Sequence, residues 1–243
     1  MKQDRREFLK LAAALGAACA LISLPLAARA ATAGSGKMKI GIVGSGRVGG
    51  TLAGVWAKAG HEVMLSSRNI ENDKALAAKL GSNARAGTPR EAAAFGDVVL
   101  VSVPYRALPE VGKELAELIK GKVVIDTCNP FVSRDGEIAT WAREKGAGLA
   151  SAELLPGARL VRAFNAISYA RMGEAQQQPG RIGMPIAGDD TQAIAVASRL
   201  IRDIGFEPVL IGGLALGKHL MPGTPLAGER APEEIRRIAA TLK

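Results

Sequence analysis

The chain has 243 residues, a formal net charge of +9 and 48% hydrophobic residues, with two cysteines and two histidines. This length suits one α/β domain with some additional structure. The composition excludes a disulfide-rich scaffold, and the scattered histidines and cysteines do not predict a metal site.

The first thirty residues have the pattern of a bacterial export signal. Arg5 and Arg6 precede an apolar run from Leu11 to Leu26, and Ala28-Arg29-Ala30 offers a small-x-small site for cleavage after Ala30. The arginine pair resembles a twin-arginine signal. The apolar run is shorter than the roughly 20 residues that span a bilayer, so we favour cleavage over the alternative of an uncleaved membrane anchor. We predict export by the twin-arginine machinery to the periplasm.

Removal of the signal lowers the net charge of the protein. The signal holds five basic and two acidic residues, so the net charge falls from +9 to +6. Such a charge indicates a solvated surface and does not predict nucleic-acid binding. Cys128 is then the only cysteine, which excludes an intramolecular disulfide. Residues 31–37 form a small, flexible linker, 38–212 the main domain, and 213–243 a helical extension.

A β-α-β unit follows the linker. The sequence predicts a strand over Lys39–Val43, a helix from about Arg47 to Ala59 and a second strand over Glu62–Leu65. A G-x-G-x-x-G motif, formed by Gly44, Gly46 and Gly49, lies between the first strand and the helix.

Each glycine of this motif has its own physical role. Gly44 permits a tight turn, Gly46 lets the backbone approach a pyrophosphate, and Gly49 lets the helix pack closely on the strand. The first helical amides, including that of Val48, lie at the positive end of the helix dipole and suit an anion. The full strand–turn–helix–strand context favours dinucleotide binding over a glycine turn of purely structural importance.

The end of the second strand bears on the choice of nucleotide. An NAD-binding protein places Asp or Glu there to hold the ribose 2′-OH, whereas Ser66, Ser67, Arg68 and Asn69 include no carboxylate. Hydroxyls can donate to a 2′-phosphate, and a guanidinium can bind it through a planar fork. We therefore predict that the protein prefers NADP(H) to NAD(H). The alternative is that Arg68 is only a solvated residue at the end of a strand. Arg47 is a weaker candidate for a phosphate contact.

The rest of the chain continues the alternation of helices and strands. This alternation predicts an α/β fold of the Rossmann type, with a doubly wound, mainly parallel sheet and a short helical C-terminal extension. The further predicted elements are a helix over Ile70–Leu80, a short strand over Asn83–Ala86, a helix capped by Thr88, a strand over Asp97–Val103, a helix over Tyr105–Lys120, strands over Lys122–Asp126, Leu160–Phe164 and Met184–Gly188, a helix from about Asp190 to Ile204, a strand over Glu207–Ile211 and a final helix from about Pro232.

Ligands of an open parallel sheet bind beyond the carboxyl ends of its strands, so the residues that follow the strands are the candidate site. Asn129 and Asn165 are the best candidates to orient a nicotinamide ring, because each neutral amide follows a buried strand. The predicted cofactor-binding residues are Gly44, Ser45, Gly46, Arg47, Val48, Gly49, Ser67, Arg68, Asn69, Ser102, Val103, Pro104, Asn129, Pro130 and Asn165.

No general acid or base is assigned. Hydride transfer between stacked rings needs proximity and orientation more than acid–base chemistry. We expect His61 to be structural, His219 to lie on a helix surface, and Cys128 to be an inert buried thiol, although it could contact the nicotinamide. Asp126 either caps the following turn or contacts the ligand.

Six segments in order carry a family resemblance: GIVGSGRVG, LSSRN, VSVPY, VVIDTCNP, LVRAFN and PIAGDD. Together they resemble the NADPH-dependent reductases of the deazaflavin coenzyme F-420, from about Lys39 to Leu220. The nucleotide-binding fold is also similar to the cytosolic reductase domain of membrane ferric reductases.

The resemblance implies that the chain binds NADP and passes hydride between nicotinamide and a deazaflavin or flavin-like acceptor. It assigns the 2′-phosphate to Ser67 and Arg68, the phosphate turn to Ser45, and the nicotinamide side to Pro104 and the Asn129-Pro130 segment. It also implies that the C-terminal region shapes the acceptor pocket and a possible homodimer contact.

Two other functions stay open from the sequence. The dinucleotide site could serve another small molecule, such as an imine, a hydroxyacid or a ferric chelate. The chain could also be a non-catalytic NADP-binding subunit or sensor, which would fit its scarcity of acid–base residues.

Overall fold

The computed structural model describes residues 36–243. The predicted signal peptide and most of the predicted linker lie outside the described residues. Within the described part, none of the helices is both long and apolar enough to cross a membrane.

Residues 36–243 contain an eight-stranded sheet in the order β3-β2-β1-β4-β5-β6-β7-β8. The first five pairings across this order are parallel, which confirms the predicted Rossmann-type fold with its mainly parallel sheet. The strands are β1 (Lys39–Val43), β2 (Glu62–Ser66), β3 (Ala84–Ala86), β4 (Val98–Val101), β5 (Val123–Asp126), β6 (Arg159–Arg162), β7 (Gly183–Gly188) and β8 (Glu207–Gly212).

The helices cover both faces of the sheet. They are α1 (Arg47–Lys58), α2 (Ile70–Leu80), α3 (Pro89–Phe95), α4 (Leu108–Ile119), α5 (Val132–Asp135), α6 (Glu137–Lys145), α7 (Ala147–Leu154), α8 (Tyr169–Met172), α9 (Thr191–Asp203) and α10 (Pro232–Ala239). Short 3-10 helices occupy Tyr105–Ala107, Ala175–Gln177 and Leu214–His219.

Strand alternation sends neighbouring side chains into two separate cores. Ile40 and Ile42 of β1 face one core, whereas Val43 faces the other. Trp56 of α1 is fully buried in the first core, where its ring meets Phe164 edge-on at a centroid distance of 6.0 Å. Burial on both faces explains why β4 and β5 read as continuous apolar runs in the sequence.

Several elements differ from the sequence prediction. β4 and β6 end earlier than predicted, at Val101 and Arg162. Beyond β6, Phe164 has a φ of 65°, a left-handed conformation that cannot continue a strand. Between residues 132 and 154, three short helices occur in a segment for which the sequence analysis names no element. These helices have four to nine residues, which is too short for a reliable apolar periodicity.

The direction of β7 is a further difference. β7 pairs antiparallel with β6 and parallel with β8, so the predicted β-α-β unit forms but runs opposite to the first six strands. A parallel neighbour would require a crossover back to the amino edge of the sheet. The intervening segment contains only a four-residue helix and a 3-10 turn, and the chain therefore re-enters the sheet near the edge it left.

The strand register aligns the carboxyl ends of the central strands in one row. Ser66 of β2 pairs with Val43 of β1, which pairs with Val101 of β4. Val101 pairs in turn with Asp126 of β5, which pairs with Arg162 of β6. The loops that follow these residues therefore emerge along one edge of the sheet.

Asp126 and Arg162 form an ion pair at this edge, and both side chains are fully buried. Arg162 also donates to the Ser151 hydroxyl at 3.2 Å and to the Cys128 carbonyl at 3.1 Å. Asp126 accepts the Cys128 amide at 2.7 Å. The pair thus fixes the turn after β5 against the end of β6.

We expect Asp126→Ala to lower the free energy of unfolding by about 3–5 kcal/mol, because it leaves the Arg162 charge buried without its partner. Urea unfolding followed by circular dichroism measures this loss. Arg159→Met serves as the control. It removes an arginine from β6, the strand of Arg162, but the ion pair of Arg159 with Asp190 is partly exposed. Equal losses in the two variants would contradict the anchoring role of the buried pair.

Candidate functional site

The glycine turn lies at the carboxyl end of β1, next to the loop after β4. Gly44 has a φ of 101°, and a Cβ there would lie 2.3 Å from the Ser102 carbonyl oxygen. A Cβ on Gly49 would lie 2.0 Å from the Gly44 carbonyl oxygen. The turn and the close packing therefore both require glycine, in agreement with the roles predicted for these two residues.

Gly46 is different, because the protein itself leaves its position open. A Cβ on Gly46 would meet no heavy atom within 4 Å, and its φ of −64° is accessible to any residue. Gly46 is the N-cap of α1, whose first amides have no partner within the helix. The open space beside these amides fits the pyrophosphate of a dinucleotide.

Ser45 and Ser67 lie at the ends of adjacent strands, and a carboxylate joins them. The Ser45 hydroxyl donates to Asp73 Oδ1, and the Ser67 hydroxyl donates to Asp73 Oδ2 at 2.8 Å. Arg68 is exposed beside them. Ser66, in contrast, is fully buried and donates to the Ile42 carbonyl at 2.7 Å, so its role is structural.

Asp73 corrects the sequence interpretation of this region. Residues 66–69 contain no carboxylate, but Asp73 brings one to the serines from the first turn of α2. Asp73 was not among the predicted site residues, because an acidic residue in a first helical turn is common and its contact with Ser45 spans 28 positions. Its position four residues after the N-cap Asn69 was the available signal.

The predicted nicotinamide side of the site consists of the loops after β5 and β6. The Asn129 side-chain amide donates to the Asn165 carbonyl at 2.8 Å, so the structure brings these two predicted residues together. Pro130 is buried beside Asn129, while Ser102, Val103 and Pro104 are partly buried in the loop after β4.

Asn129 and Asn165 each have a side-chain carbonyl oxygen that is buried and has no hydrogen-bond partner among the described residues. Asn165 is only 3% exposed, and it directly follows the strained Phe164. An unsatisfied buried acceptor is costly, so each of these two oxygens calls for a donor from water or from a ligand. The carboxamide and ribose hydroxyls of a nicotinamide nucleotide are donors of this kind.

Arg47, on the exposed side of the glycine turn, lies 5.6 Å from the ring centroid of Tyr169 in α8. This cation–π contact joins the turn to the segment that follows β6. Val48 is partly buried in the first turn of α1.

Two acidic or nucleophilic residues beside the site are engaged in the protein's own structure. Asp126 caps the turn after β5 and pairs with Arg162. Cys128 is buried, and burial raises the pKa of its thiol well above the usual value. Because the thiol stays protonated, Cys128 behaves as an inert residue.

The two histidines lie elsewhere. His61 Nδ1 accepts the Met38 amide at 3.2 Å, so Nε2 carries the proton and donates to Asp203 at 3.1 Å. Burial lowers the pKa of His61, although Asp203 acts to raise it. His219 is partly exposed at the end of a 3-10 helix and contacts the Lys243 carbonyl at 3.3 Å.

Known oxidoreductases are similar to this chain in sequence. Residues 39–130 match the family described as "NADP oxidoreductase coenzyme F420-dependent". The F420-dependent NADP reductase of Methanothermobacter thermautotrophicus is 31% identical over 205 residues, which cover 78% of this chain and 87% of the relative. The metalloreductase STEAP3 of Rattus norvegicus is 31% identical over 182 residues, 75% of this chain but only 35% of the relative.

Solved structures share the fold. A hypothetical protein from Sinorhizobium meliloti superposes with a TM-score of 0.67 at 24% identity, over 81% of this chain and 96% of the other. An imine reductase from Myxococcus stipitatus in complex with NADP+ gives a TM-score of 0.53 at 18% identity, over 73% of this chain and 56% of the other.

The fold, the glycine turn and these relatives define an NADP-dependent oxidoreductase with a Rossmann-type domain. The chain belongs to the family of coenzyme F-420-dependent NADP oxidoreductases, which confirms the family predicted from the six sequence segments.

We expect Gly46→Ala to weaken the binding of both NADPH and NADH by at least about tenfold, because a methyl group would occupy space that only a bound phosphate needs. Thermal unfolding of the free protein should change little, since the Cβ contacts nothing. Calorimetric titration and a melting curve measure the two quantities.

Gly54→Ala is the matched control on the same helix, where a Cβ meets only the flexible end of Leu80 at 3.3 Å. This control should bind both nucleotides as the wild type does. Normal nucleotide binding by the Gly46 variant would show that the turn does not hold the pyrophosphate.

Proposed function

We propose that this protein oxidises or reduces a deazaflavin or flavin-like acceptor by hydride exchange with NADP(H). The observation that supports this proposal best is the row of strand ends: it places the open turn at Gly46, the serines near Arg68 and the two unsatisfied asparagine oxygens along one edge of the sheet. The similarity to F420-dependent NADP reductases supports the same acceptor class.

In this proposal, each part of the edge holds one part of the dinucleotide. The amides at the start of α1 bind the pyrophosphate, and Arg68 pairs with the 2′-phosphate. The Oδ1 atoms of Asn129 and Asn165 accept hydrogen bonds from the nicotinamide half and thereby fix the orientation of its ring.

The bound nicotinamide supplies the hydride chemistry, and the protein supplies orientation and a site with little water. Asp126, Cys128 and Tyr105 lie near the nicotinamide side but are buried. Burial raises the pKa of the Tyr105 hydroxyl, which contacts Ser151 Oγ at 3.2 Å. Because Tyr105 and Cys128 keep their protons and Asp126 is paired with Arg162, we assign no catalytic acid or base.

We also propose that the protein acts outside the cytoplasm after cleavage at Ala30. The arginine pair, the short apolar run and the Ala28-Arg29-Ala30 site support this location.

For export, we expect the wild type in a bacterial host to reach the periplasmic fraction with Ala31 as its first residue. A double Arg5→Lys, Arg6→Lys variant should remain in the cytoplasm at full length, because the pathway reads the arginine pair. Cell fractionation and N-terminal mass spectrometry measure both results, and Lys2→Arg is a control outside the pair. Equal distribution of the double variant and the wild type would contradict twin-arginine export.

For the reaction, we expect the chain from Ala31 onward to oxidise NADPH when a deazaflavin acceptor is supplied. Arg68→Ala should raise the KM for NADPH by on the order of tenfold to a hundredfold and leave that for NADH nearly unchanged, because only NADPH carries the 2′-phosphate. Loss of nucleotide absorbance at 340 nm in steady-state assays measures both effects, with acceptor at saturation.

Arg237→Ala, which removes the same charge from an exposed position on α10, should leave both KM values unchanged. Turnover with an imine, a hydroxyacid or ferric citrate, but not with deazaflavin or flavin, would assign the site to another acceptor. Tight NADPH binding without consumption by any acceptor would indicate a sensor or subunit instead of an enzyme.

A further inference from the structure

Asp73 is a buried carboxylate for which the proposed reaction has no use. It is 1% exposed, and its two oxygens accept hydrogen bonds from Ser45 on the glycine turn and Ser67 after β2. These two serines come from the segments that the proposed function assigns to the phosphates of the nucleotide.

Within residues 36–243, Asp73 forms no ion pair, and its contacts are with a helix terminus and two hydroxyls. Asp73 lies in the first turn of α2, where the helix dipole favours an anion. Its partners there are the two serine hydroxyls, which donate strong, charge-assisted hydrogen bonds. These two hydrogen bonds hold the Asp73 carboxylate next to the region where Arg68 would bind a 2′-phosphate.

The hydrogen bonds to Asp73 also decide what the serines can offer a ligand. A hydroxyl has one proton, so a serine that donates to Asp73 presents only acceptor capacity to other groups. Ser67 Oγ accepts the Asn69 amide at 3.1 Å, and it lies nearer to Asp73 Oδ2, at 2.8 Å, than to its other acceptor, the Asn69 carbonyl oxygen, at 3.2 Å, so the proton goes to Asp73. A ribose 2′-OH can donate to such an oxygen, whereas a 2′-phosphate dianion has no proton to donate.

We infer that Asp73 is a specificity-determining residue that opposes the preference for NADP(H) created by Arg68. It turns the protons of Ser45 and Ser67 away from the ligand and adds a negative charge beside the 2′-phosphate. In the wild type, the affinity for NADPH therefore exceeds that for NADH by a smaller factor than Arg68 alone would produce. This inference rests on dinucleotide binding at the glycine turn, and it does not depend on the hydride acceptor.

The test is the affinity of purified wild type and Asp73→Asn for NADPH and NADH, measured by calorimetry. Asparagine removes the charge, and its NH2 group can donate to one serine oxygen, which frees that hydroxyl proton for the phosphate. We expect the Kd for NADPH to fall about tenfold and that for NADH to change less than about twofold.

Glu71→Gln is the matched control, because it removes the same charge from the same helical turn at a side chain that is 74% exposed. Its effect on the ratio of the two Kd values should stay below about twofold, since solvent and salt screen this group. A melting curve checks folding, and Asp73→Ser, which keeps a hydroxyl at this position, replaces the asparagine variant if that variant does not fold.

The inference fails if the Asp73→Asn variant does not gain affinity for NADPH relative to NADH. Equal weakening of NADPH and NADH would mean that Asp73 only maintains the shape of the turn, and selective weakening of NADPH would mean that it assists phosphate binding. If the wild type binds neither nucleotide, the proposed function fails as well. If the wild type binds both and the ratio does not respond to Asp73, only the inference about Asp73 fails.

Discussion

The buried ion pair of Asp126 and Arg162 is the interaction on which the nicotinamide side of the site depends. It joins the last residues of two adjacent strands, and Arg162 also holds the Cys128 carbonyl. Asn129 follows directly on that turn, and Asn165 follows three residues after Arg162, so their contact at 2.8 Å is set by the pair behind them. A buried pair is costly to desolvate, but removing one partner is costlier still, and this makes the arrangement rigid.

The glycine turn on the nucleotide side is organised around backbone contacts. Gly44 and Gly49 are required by contacts of the protein with itself, whereas Gly46 is open. The same turn therefore divides its glycines between folding and binding. Gly44 and Gly49 are therefore necessary for the fold. Gly46 is not, and its place in the motif points to a ligand.

The sequence predicted most of the fold because its signals are local. The capping box of Thr88 and Glu91 forms as the residue spacing indicates, and the apolar run around Val99 becomes a strand buried on both faces. The reversed direction of β7 could not be predicted, because it depends on the path of the chain between residues 163 and 182. Asp73 was missed for a related reason: its contact with Ser45 exists only once α2 packs beside the glycine turn.

The site shows how a hydride-transferring protein can contain reactive groups and leave them unused. Cys128 and Tyr105 lie close to the nicotinamide side, but burial raises the pKa of both groups, so they stay neutral near pH 7. A protonated, buried thiol is a poor nucleophile and resists oxidation, which suits the oxidising compartment that the proposed export implies. The groups that we propose to contact the ligand are amides, hydroxyls and one exposed guanidinium, which can orient a cofactor without exchanging protons with it. The proposed hydride transfer between two rings depends on proximity and orientation more than on acid–base chemistry, and groups of this kind can supply both.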